Sequence, residues 1–336
     1  MHNVLIIGAG GVGRRHIKSY ISTNRAIISI VEPDTEKCKA VEKDFQISQI
    51  YNSISEVNLS KYSLAIICTP ANYHVEPMKI CAENHLPFMV EKPLSIYLEG
   101  LDNVLSLVNS NKVFARVGYT RRNCFEAQSA RSKILDGKIG DLKIVLVNLS
   151  QDFPKYRPDF QRIYFANPET GGGSISDVSC HVIDRLIWII GKPTHVSCMY
   201  GSLVLEGINT EDTCFINLLF ENGSMANITI NHFQKPNTST YEFIGTKGNI
   251  LLNHSTLMFA DDDSLQWKET KEYMEGLEPM EVHQNNFLSQ ANKMLDGLEG
   301  KDCDLTTLED AKLNLRITLA AKKSWIEKKI IMLDKE

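Results

Sequence analysis

The sequence predicts an α/β protein in two parts, a doubly wound parallel sheet followed by a domain in which an antiparallel sheet carries a few helices. Three observations lead there. Short β-branched apolar runs alternate with longer helical patterns through the first third of the chain, as expected of βαβ units buried on both faces. After Tyr119 the texture changes to longer, more polar strand patterns. At 336 residues the chain is long enough for two cores of ordinary size.

In order, the first part reads as strands at Val4 to Ile7, Ala26 to Val31, Leu64 to Cys68, Pro87 to Val90 and Val113 to Val117. Helical patterns lie between them, at Val12 to Ser22, Thr35 to Asp44, His74 to Asn84 and Tyr97 to Val108. In the last of these the apolar residues Val104, Leu105, Leu107 and Val108 recur at three and four. The boundary is placed near 121, giving domains 1–121 and 122–336. The second opens with a helix from Phe125 to Leu135, then strands at Leu142 to Leu149, Val196 to Leu205, Cys214 to Phe220, Met225 to His232 and Tyr241 to Gly245. Asn222-Gly223 predicts a type I′ hairpin. A closing amphipathic helix, Leu308 to Ile326, leads to a short strand at Ile330 to Leu333.

Composition removes several classes of function. Lys and Arg total 36 against 41 Asp and Glu, a net charge of -5, so no basic surplus exists for nucleic acid or an anionic membrane surface. The eight cysteines are scattered without a CxxC pair or a zinc-spaced His cluster, so no metal site is expected and a reducing cytoplasm suits them. The opening apolar run is too short for a signal sequence, and no apolar stretch approaches the ~18 residues of a membrane span.

Gly8-Ala9-Gly10-Gly11-Val12-Gly13 satisfies G-x-G-x-x-G between the first strand and the first helix. Glycines there permit a tight turn, close approach of a pyrophosphate and close helix–strand packing, while the helix N-terminus receives the anion. Glu32, at the end of the second strand, is placed to accept from an adenosine ribose hydroxyl and to repel a 2′-phosphate. That favours NAD over NADP, although Arg14, Arg15 and Lys37 lie near enough in sequence to offset it.

Two further segments fall at the carboxyl edge where such sheets bind ligands: Cys68-Thr69-Pro70-Ala71-Asn72-Tyr73-His74, readable also as a capped helix start, and Glu91-Lys92-Pro93. Lys92 could donate to a substrate oxygen as charge develops, or be a solvated surface residue. After Gly171-Gly172-Gly173, the stretch Ile175 to Ile190 reads as a largely buried helix with Asp177, His181 and Asp184 in one polar stripe. Buried polar groups must be paired or face a cavity, so His181 is either a general base held by a carboxylate or a satisfied core histidine. The stretch Lys155 to Tyr164, just before the glycines, carries Tyr156, Arg157, Arg162 and Tyr164, which could recognise a carboxylate or ring hydroxyls, or form a solvated loop; His232 and Gln234 are weaker suggestions of the same kind.

Taken together, GAGGVG, VEPD, CTPANYH, EKP, GYTRR and GGG-x3-D-x3-H-x2-D resemble, in order and spacing over nearly the whole chain, the glucose-fructose oxidoreductase and inositol dehydrogenase family, Gfo/Idh/MocA. The resemblance implies an N-terminal Rossmann domain and a C-terminal α/β domain built on a large, mainly antiparallel open sheet, whose face commonly joins subunits into a homo-dimer or homo-tetramer. It implies that Lys92, usually in a cis Lys-Pro bond, lies beside the nicotinamide, and that His181 acts as acid/base with Asp177 next to it. Thr69, Pro70, Asn72, His74, Glu91 and either Arg121 or Arg122 map onto cofactor-lining positions, with Arg122 also a candidate for substrate. Ser179 departs from a glycine common in the family, a small change that leaves the helix intact.

The expected activity is hydride transfer between a ring hydroxyl carbon of a sugar, cyclitol or sugar acid and NAD, with substrate between the Rossmann carboxyl edge and the Ile175 to Ile190 helix. Two alternatives use the same residues differently: a redox-neutral glycosidase or epimerase working through transient oxidation, and a non-catalytic sugar or dinucleotide sensor. The intact set Lys92, Asp177 and His181 argues against the sensor.

Overall fold

The computed structural model describes residues 1–254, 256–261, 266–270 and 279–333. The chain divides into two compact units, Met1–Asn123 with Leu277–Lys312, and Cys124–Gly276 with Leu313–Glu336.

In the first unit, β1 (His2–Ile7), α1 (Gly11–Ser22), β2 (Ala26–Val31), α2 (Thr35–Asp44), β3 (Gln49–Tyr51), β4 (Leu64–Ile67), α3 (Val75–Glu83), β5 (Phe88–Val90), α4 (Leu101–Ser110) and β6 (Ala115–Val117) follow one another. The six strands form one parallel sheet in the order β3-β2-β1-β4-β5-β6. The order reverses between β1 and β4, the crevice where doubly wound sheets take ligands. Val4, Ile6, Ile30, Leu64, Ile66 and Met89 are fully buried, the near-continuous apolar strands such a sheet requires.

The second unit contains α5 (Phe125–Leu135), β7 (Leu142–Ser150), a one-turn α6 (Phe153–Tyr156), α7 (Cys180–Ile190), β8 (Pro193–Gly201), β9 (Thr213–Phe220), β10 (Met225–Asn231), β11 (Ser239–Gly245), β12 (Gly248–Asn253), β13 (Thr256–Asp261) and β14 (Lys268–Thr270). After α8 (Pro279–Leu298), α9 (Leu308–Glu327) and β15 (Ile331–Met332) close the chain. Among the described residues a nine-stranded sheet runs β14-β13-β12-β11-β7-β10-β9-β8-β15, antiparallel except where β7 and β10 pair in parallel. One face is the core: Val145, Val147, Ile216, Ile228 and Phe243 pack with Ile183 and Leu186 of α7. The other face leaves Ile144, Leu146, Met199, Phe215 and Met225 exposed.

Three expectations are corrected. Residues 122–336 do not form one unit, because α8 packs against α1: the Phe287 ring meets the buried His16 ring edge-on at 5.0 Å, and Gln284 donates to the Ser19 hydroxyl at 2.7 Å. Strand β8 starts at Pro193 and ends at Gly201 rather than running to Leu205, because the Asp212 carboxylate draws the backbone N–H groups of Leu203, Val204 and Leu205 into a loop. The Asn222-Gly223 turn is not type I′. Only Gly223 has positive φ, and the pairs Gly223 N to Phe220 O and Phe220 N to Ser224 O build a longer turn with glycine in the left-handed position. The Asn222 side chain caps it by accepting from the Ser224 N–H and hydroxyl.

Candidate active site

The glycine loop is built from β1 outward. Gly8 has a φ of +97°, and a Cβ there would lie 2.8 Å from the Cys68 carbonyl oxygen, so side chains are excluded by both strain and contact. A Cβ on Gly13 would lie 2.1 Å from the Gly8 carbonyl oxygen, which is why α1 can sit so close to its strand. Gly10 and Gly11 differ: no atom lies within 4 Å of a Cβ at either, so their bareness serves something outside the protein's own packing. Val12 between them and Gly13 is partly exposed. No side chain caps α1, which leaves its first-turn N–H groups directed at an approaching anion.

Glu32 is buried beside this loop. Its Oε2 accepts from the Ala9 N–H at 2.8 Å and its Oε1 from the Asp34 N–H at 3.1 Å, with Lys37 Nζ 3.9 Å away. A carboxylate offers about four lone-pair positions, so acceptor capacity for a ribose hydroxyl remains. Of the cations considered, Arg14 is engaged by Asp44 and lies over the Phe45 ring, and Arg15 approaches His283 at 3.4 Å. Asn72 Oδ1, on the turn after β4, is buried with no hydrogen-bond partner among the described residues. An uncapped helix, two bare glycines, a carboxylate and an orphaned acceptor at one sheet edge fit a dinucleotide.

The sequence-predicted residues of the β4 and β5 loops separate into two kinds. His74 is buried: its Nε2 lies 2.8 Å from the Thr69 carbonyl and its Nδ1 3.0 Å from that of Pro93. Burial pushes its pKa down against those carbonyls, and the two contacts tether the Thr69-Pro70 segment to the loop after β5. Glu91 is also buried. Its Oε1 lies 2.6 Å from His16 Nε2 on α1, and its Oε2 accepts from the Lys92 N–H at 3.1 Å. Gly118 leaves room for this carboxylate, since a Cβ there would lie 2.8 Å from Oε1. The Lys92–Pro93 bond is cis, and Lys92 is half-buried. Sequence reasoning missed His16; its signal is a histidine one turn beyond the last glycine, on the face of α1 that returns toward the sheet. Arg122 is buried 3.6 Å from Asp310, whereas its neighbour Arg121 is half-buried.

In the second unit the triple glycine leads into a π-helical segment, Ser174–Ser179, before α7 begins. The expected single α-helix is therefore two kinds of helix, and Asp177 and His181 fall on either side of the junction. Such π turns are frequent at functional sites. Gly172 and Gly173 are required by contact: a Cβ on the first would lie 2.2 Å from the Phe165 carbonyl oxygen, and on the second 2.5 Å from Glu211 Oε1. Glu211 holds the start of the segment, its carboxylate accepting from the Ile175 N–H at 2.9 Å and its carbonyl from the Ser174 N–H at 2.9 Å. Lys322 of α9 donates to the Ser176 hydroxyl at 2.9 Å. Tyr164 donates its hydroxyl to Asp177 Oδ2 at 3.0 Å. Ser179 donates to the Ile175 carbonyl at 2.6 Å, so the departure from glycine is absorbed within the turn. Asp177 and His181 are half-buried, while Asp184 is buried.

Tyr156, Arg157 and Arg162 are exposed. Tyr156 accepts from the Asn237 side chain at 3.0 Å, and Arg157 donates to the Tyr156 carbonyl. His232 is buried between the Phe153 and Phe165 rings, at 5.1 and 4.9 Å, with Nδ1 3.2 Å from the Asp212 carbonyl. Burial pushes its pKa down, only partly opposed by that carbonyl and by the charges of Asp177 and Asp212. Gln234 turns instead to Asn231 and Thr238.

The family model for the NAD-binding Rossmann fold of the oxidoreductase family matches residues 2–119, and that for the GFO/IDH/MocA C-terminal domain matches residues 127–251. The chain belongs to the Gfo/Idh/MocA family. Its relatives include the myo-inositol 2-dehydrogenase of Thermotoga maritima, 21% identical with 98% of each chain covered. The scyllo-inositol 2-dehydrogenase (NAD(+)) of Bacillus subtilis is 24% identical over 77% of each. Among solved structures, levoglucosan dehydrogenase in complex with NADH and levoglucosan superposes with a TM-score of 0.87 at 20% identity, covering 99% of this chain and 100% of that one, a likeness of fold. The matched family makes this Gfo/Idh/MocA protein an oxidoreductase with an NAD-binding Rossmann fold. No described helix is long and apolar enough to cross a membrane.

Proposed function

We propose that the protein is an NAD-preferring dehydrogenase that oxidises a ring hydroxyl of a neutral or acidic sugar or a cyclitol. Support for the coenzyme preference comes from the buried Glu32 carboxylate beside the two bare glycines: a 2′-phosphate there would add negative charge against a desolvated anion. Gly8, Gly10, Gly11, Val12 and Gly13 would cradle the pyrophosphate, with Glu32 on the ribose and Thr69, Pro70, Asn72 and Arg121 along the rest. Bound nicotinamide supplies the two-electron acceptor.

The chain's own residues manage the proton and the developing charge. The His181 imidazole takes the hydroxyl proton, with Asp177 orienting it or accepting from an adjacent hydroxyl. The Lys92 ammonium donates to the substrate oxygen as negative charge grows on it. Glu91, held by His16, fixes the backbone N–H of Lys92 and so the start of that loop. The relatives named as inositol dehydrogenases and the levoglucosan complex support a polyhydroxylated ring as substrate class. We also propose a homo-oligomer through the exposed sheet face, where Ile144, Leu146, Met225 and Ile330 line an apolar groove of about 410 Å³.

The test offers NAD or NADP with cyclitols, sugars and sugar acids while following reduced nicotinamide absorbance. The reading expects a rise with NAD, and a loss of turnover of about two to four orders of magnitude in both His181→Ala and Lys92→Ala with dinucleotide affinity retained. Near-normal turnover in both variants would remove these assignments. A protein that binds NAD yet never reduces it would remove the dehydrogenase.

A further inference from the structure

We propose that Tyr164 is a positioning residue for the reaction, acting through the Asp177 carboxylate; the proposal rests on the reading that Asp177 serves the chemistry. Tyr164 lies in a tight 3-10 turn, Tyr164–Ala166, that is fixed on several sides. Phe165 is fully buried against Phe153 and His232, with ring centroids at 4.4 and 4.9 Å. The Phe165 carbonyl accepts from the Thr210 hydroxyl at 2.7 Å, and the Tyr164 carbonyl from the Thr170 hydroxyl at 2.8 Å. Gly172 passes so close beneath the turn that it can carry no side chain.

An anchored residue whose neighbour is driven into the core presents its own side chain in a defined direction. Here that direction ends on Asp177 Oδ2, 3.0 Å from a phenol that is itself half exposed. The acceptor sits on a π-helical turn, a feature frequent at functional sites. Glu211 secures that turn at its start and Lys322 at Ser176. Tyr164 holds the Asp177 side chain itself. A carboxylate rotates about two side-chain bonds, so a phenol holding one oxygen narrows the directions open to the other. That is the property an acid/base partner or a hydroxyl acceptor needs.

The experiment is a double-mutant cycle on the full-length protein, with Tyr164→Phe, Asp177→Asn and the pair, reading kcat, KM and the unfolding midpoint. Tyr164→Phe removes one oxygen from a half-exposed ring, so the fold is kept. A hydrogen bond to a charged group sets the scale: kcat is expected to fall about tenfold, with KM and midpoint little changed. On the Asp177→Asn background the same substitution is expected to cost almost nothing. Equal losses on both backgrounds would overturn the proposal, since Tyr164 would then be touching substrate independently. Normal kcat in Tyr164→Phe beside an impaired Asp177→Asn would also overturn it. If Asp177→Asn is itself silent, the assignment of Asp177 fails and the positioning role with it, an outcome told apart by which single variant is silent.

Discussion

Alanine substitutions along the glycine loop divide into two classes with opposite signatures. At Gly13 the new methyl would stand 2.1 Å from the Gly8 carbonyl oxygen, where ordinary contact begins near 3.4 Å, so α1 or the loop must give by more than an ångström. Overpacking of this kind costs about 1–3 kcal/mol. At Gly10 the backbone already sits at φ -65°, which suits alanine, and nothing lies within 4 Å of the methyl. Gly10→Ala should therefore fold as well as the parent, or gain about 0.4–1 kcal/mol from a stiffer unfolded chain. The methyl would instead hold a pyrophosphate away from the N–H groups of α1. Losing one charge-assisted hydrogen bond, about 1.5–3 kcal/mol, weakens NAD binding by roughly 10- to 100-fold. Gly11→Ala belongs with Gly10→Ala, and Gly8→Ala with Gly13→Ala. Chemical denaturation and fluorescence titration with NAD, run on all four, read the two axes separately. Parent-like NAD affinity in Gly10→Ala and Gly11→Ala would refute the argument, as would a Gly13→Ala protein as stable as Gly10→Ala.

Two predictions concern buried charge. Burial of Asp212 opposes ionisation, but three backbone N–H groups at 2.7 to 2.9 Å and the Thr213 hydroxyl outweigh it and lower its pKa. A depressed carboxylate contributes stability fully above its unfolded value, near 4, and loses it as pH falls through the folded one. Asp212→Asn should thus cost about 2–4 kcal/mol at neutral pH and flatten the acid limb of a stability–pH curve; an unchanged acid limb would contradict this. His16→Phe strands the buried Glu91 and should cost about 3–5 kcal/mol, while His16→Phe with Glu91→Gln should cost less than that single change. Denaturation of the two single variants and the pair decides it.

Much of the first unit was legible because its signals are local. Parallel strands buried on both faces must be apolar throughout, and a phosphate turn must be glycine-rich, so β1, β2, β4 and the loop after β1 declare themselves. The edge strand β3 carries too little apolar pattern to be seen, its Gln49 exposed and Ile50 and Tyr51 half-buried where the equally short β5 is wholly buried. Helix α8 was missed altogether: Gln284 and His283 stand where an amphipathic helix would put apolar residues, because its partner α1 offers Ser19 and Arg15. In the second unit the expected helix with Asp177 and His181 exists, but nothing in residue types separates a π turn from an α turn. The contacts that hold the turn come from outside it, from Glu211, Lys322 and Tyr164. The same holds for Tyr164 against Tyr156, Arg157 and Arg162: four plausible side chains lie close together in sequence, and only the burial of Phe165 tells which one is aimed at Asp177.

The placement of α8 bears on the order in which the protein can be made. The first unit draws on Met1–Asn123 and again on Leu277–Lys312, so its sheet leaves the ribosome long before the helix that covers His16 and the outer side of α1. At about 5–20 residues per second, the gap between Asn123 and Lys312 lasts roughly ten to forty seconds. During that interval a nucleotide fold lacks its outer cover and must be kept from wrong partners while the entire second unit is synthesised. A fragment cut at residue 123 would lack α8 for good and leave His16 and the Ser19 hydroxyl without the contacts it brings.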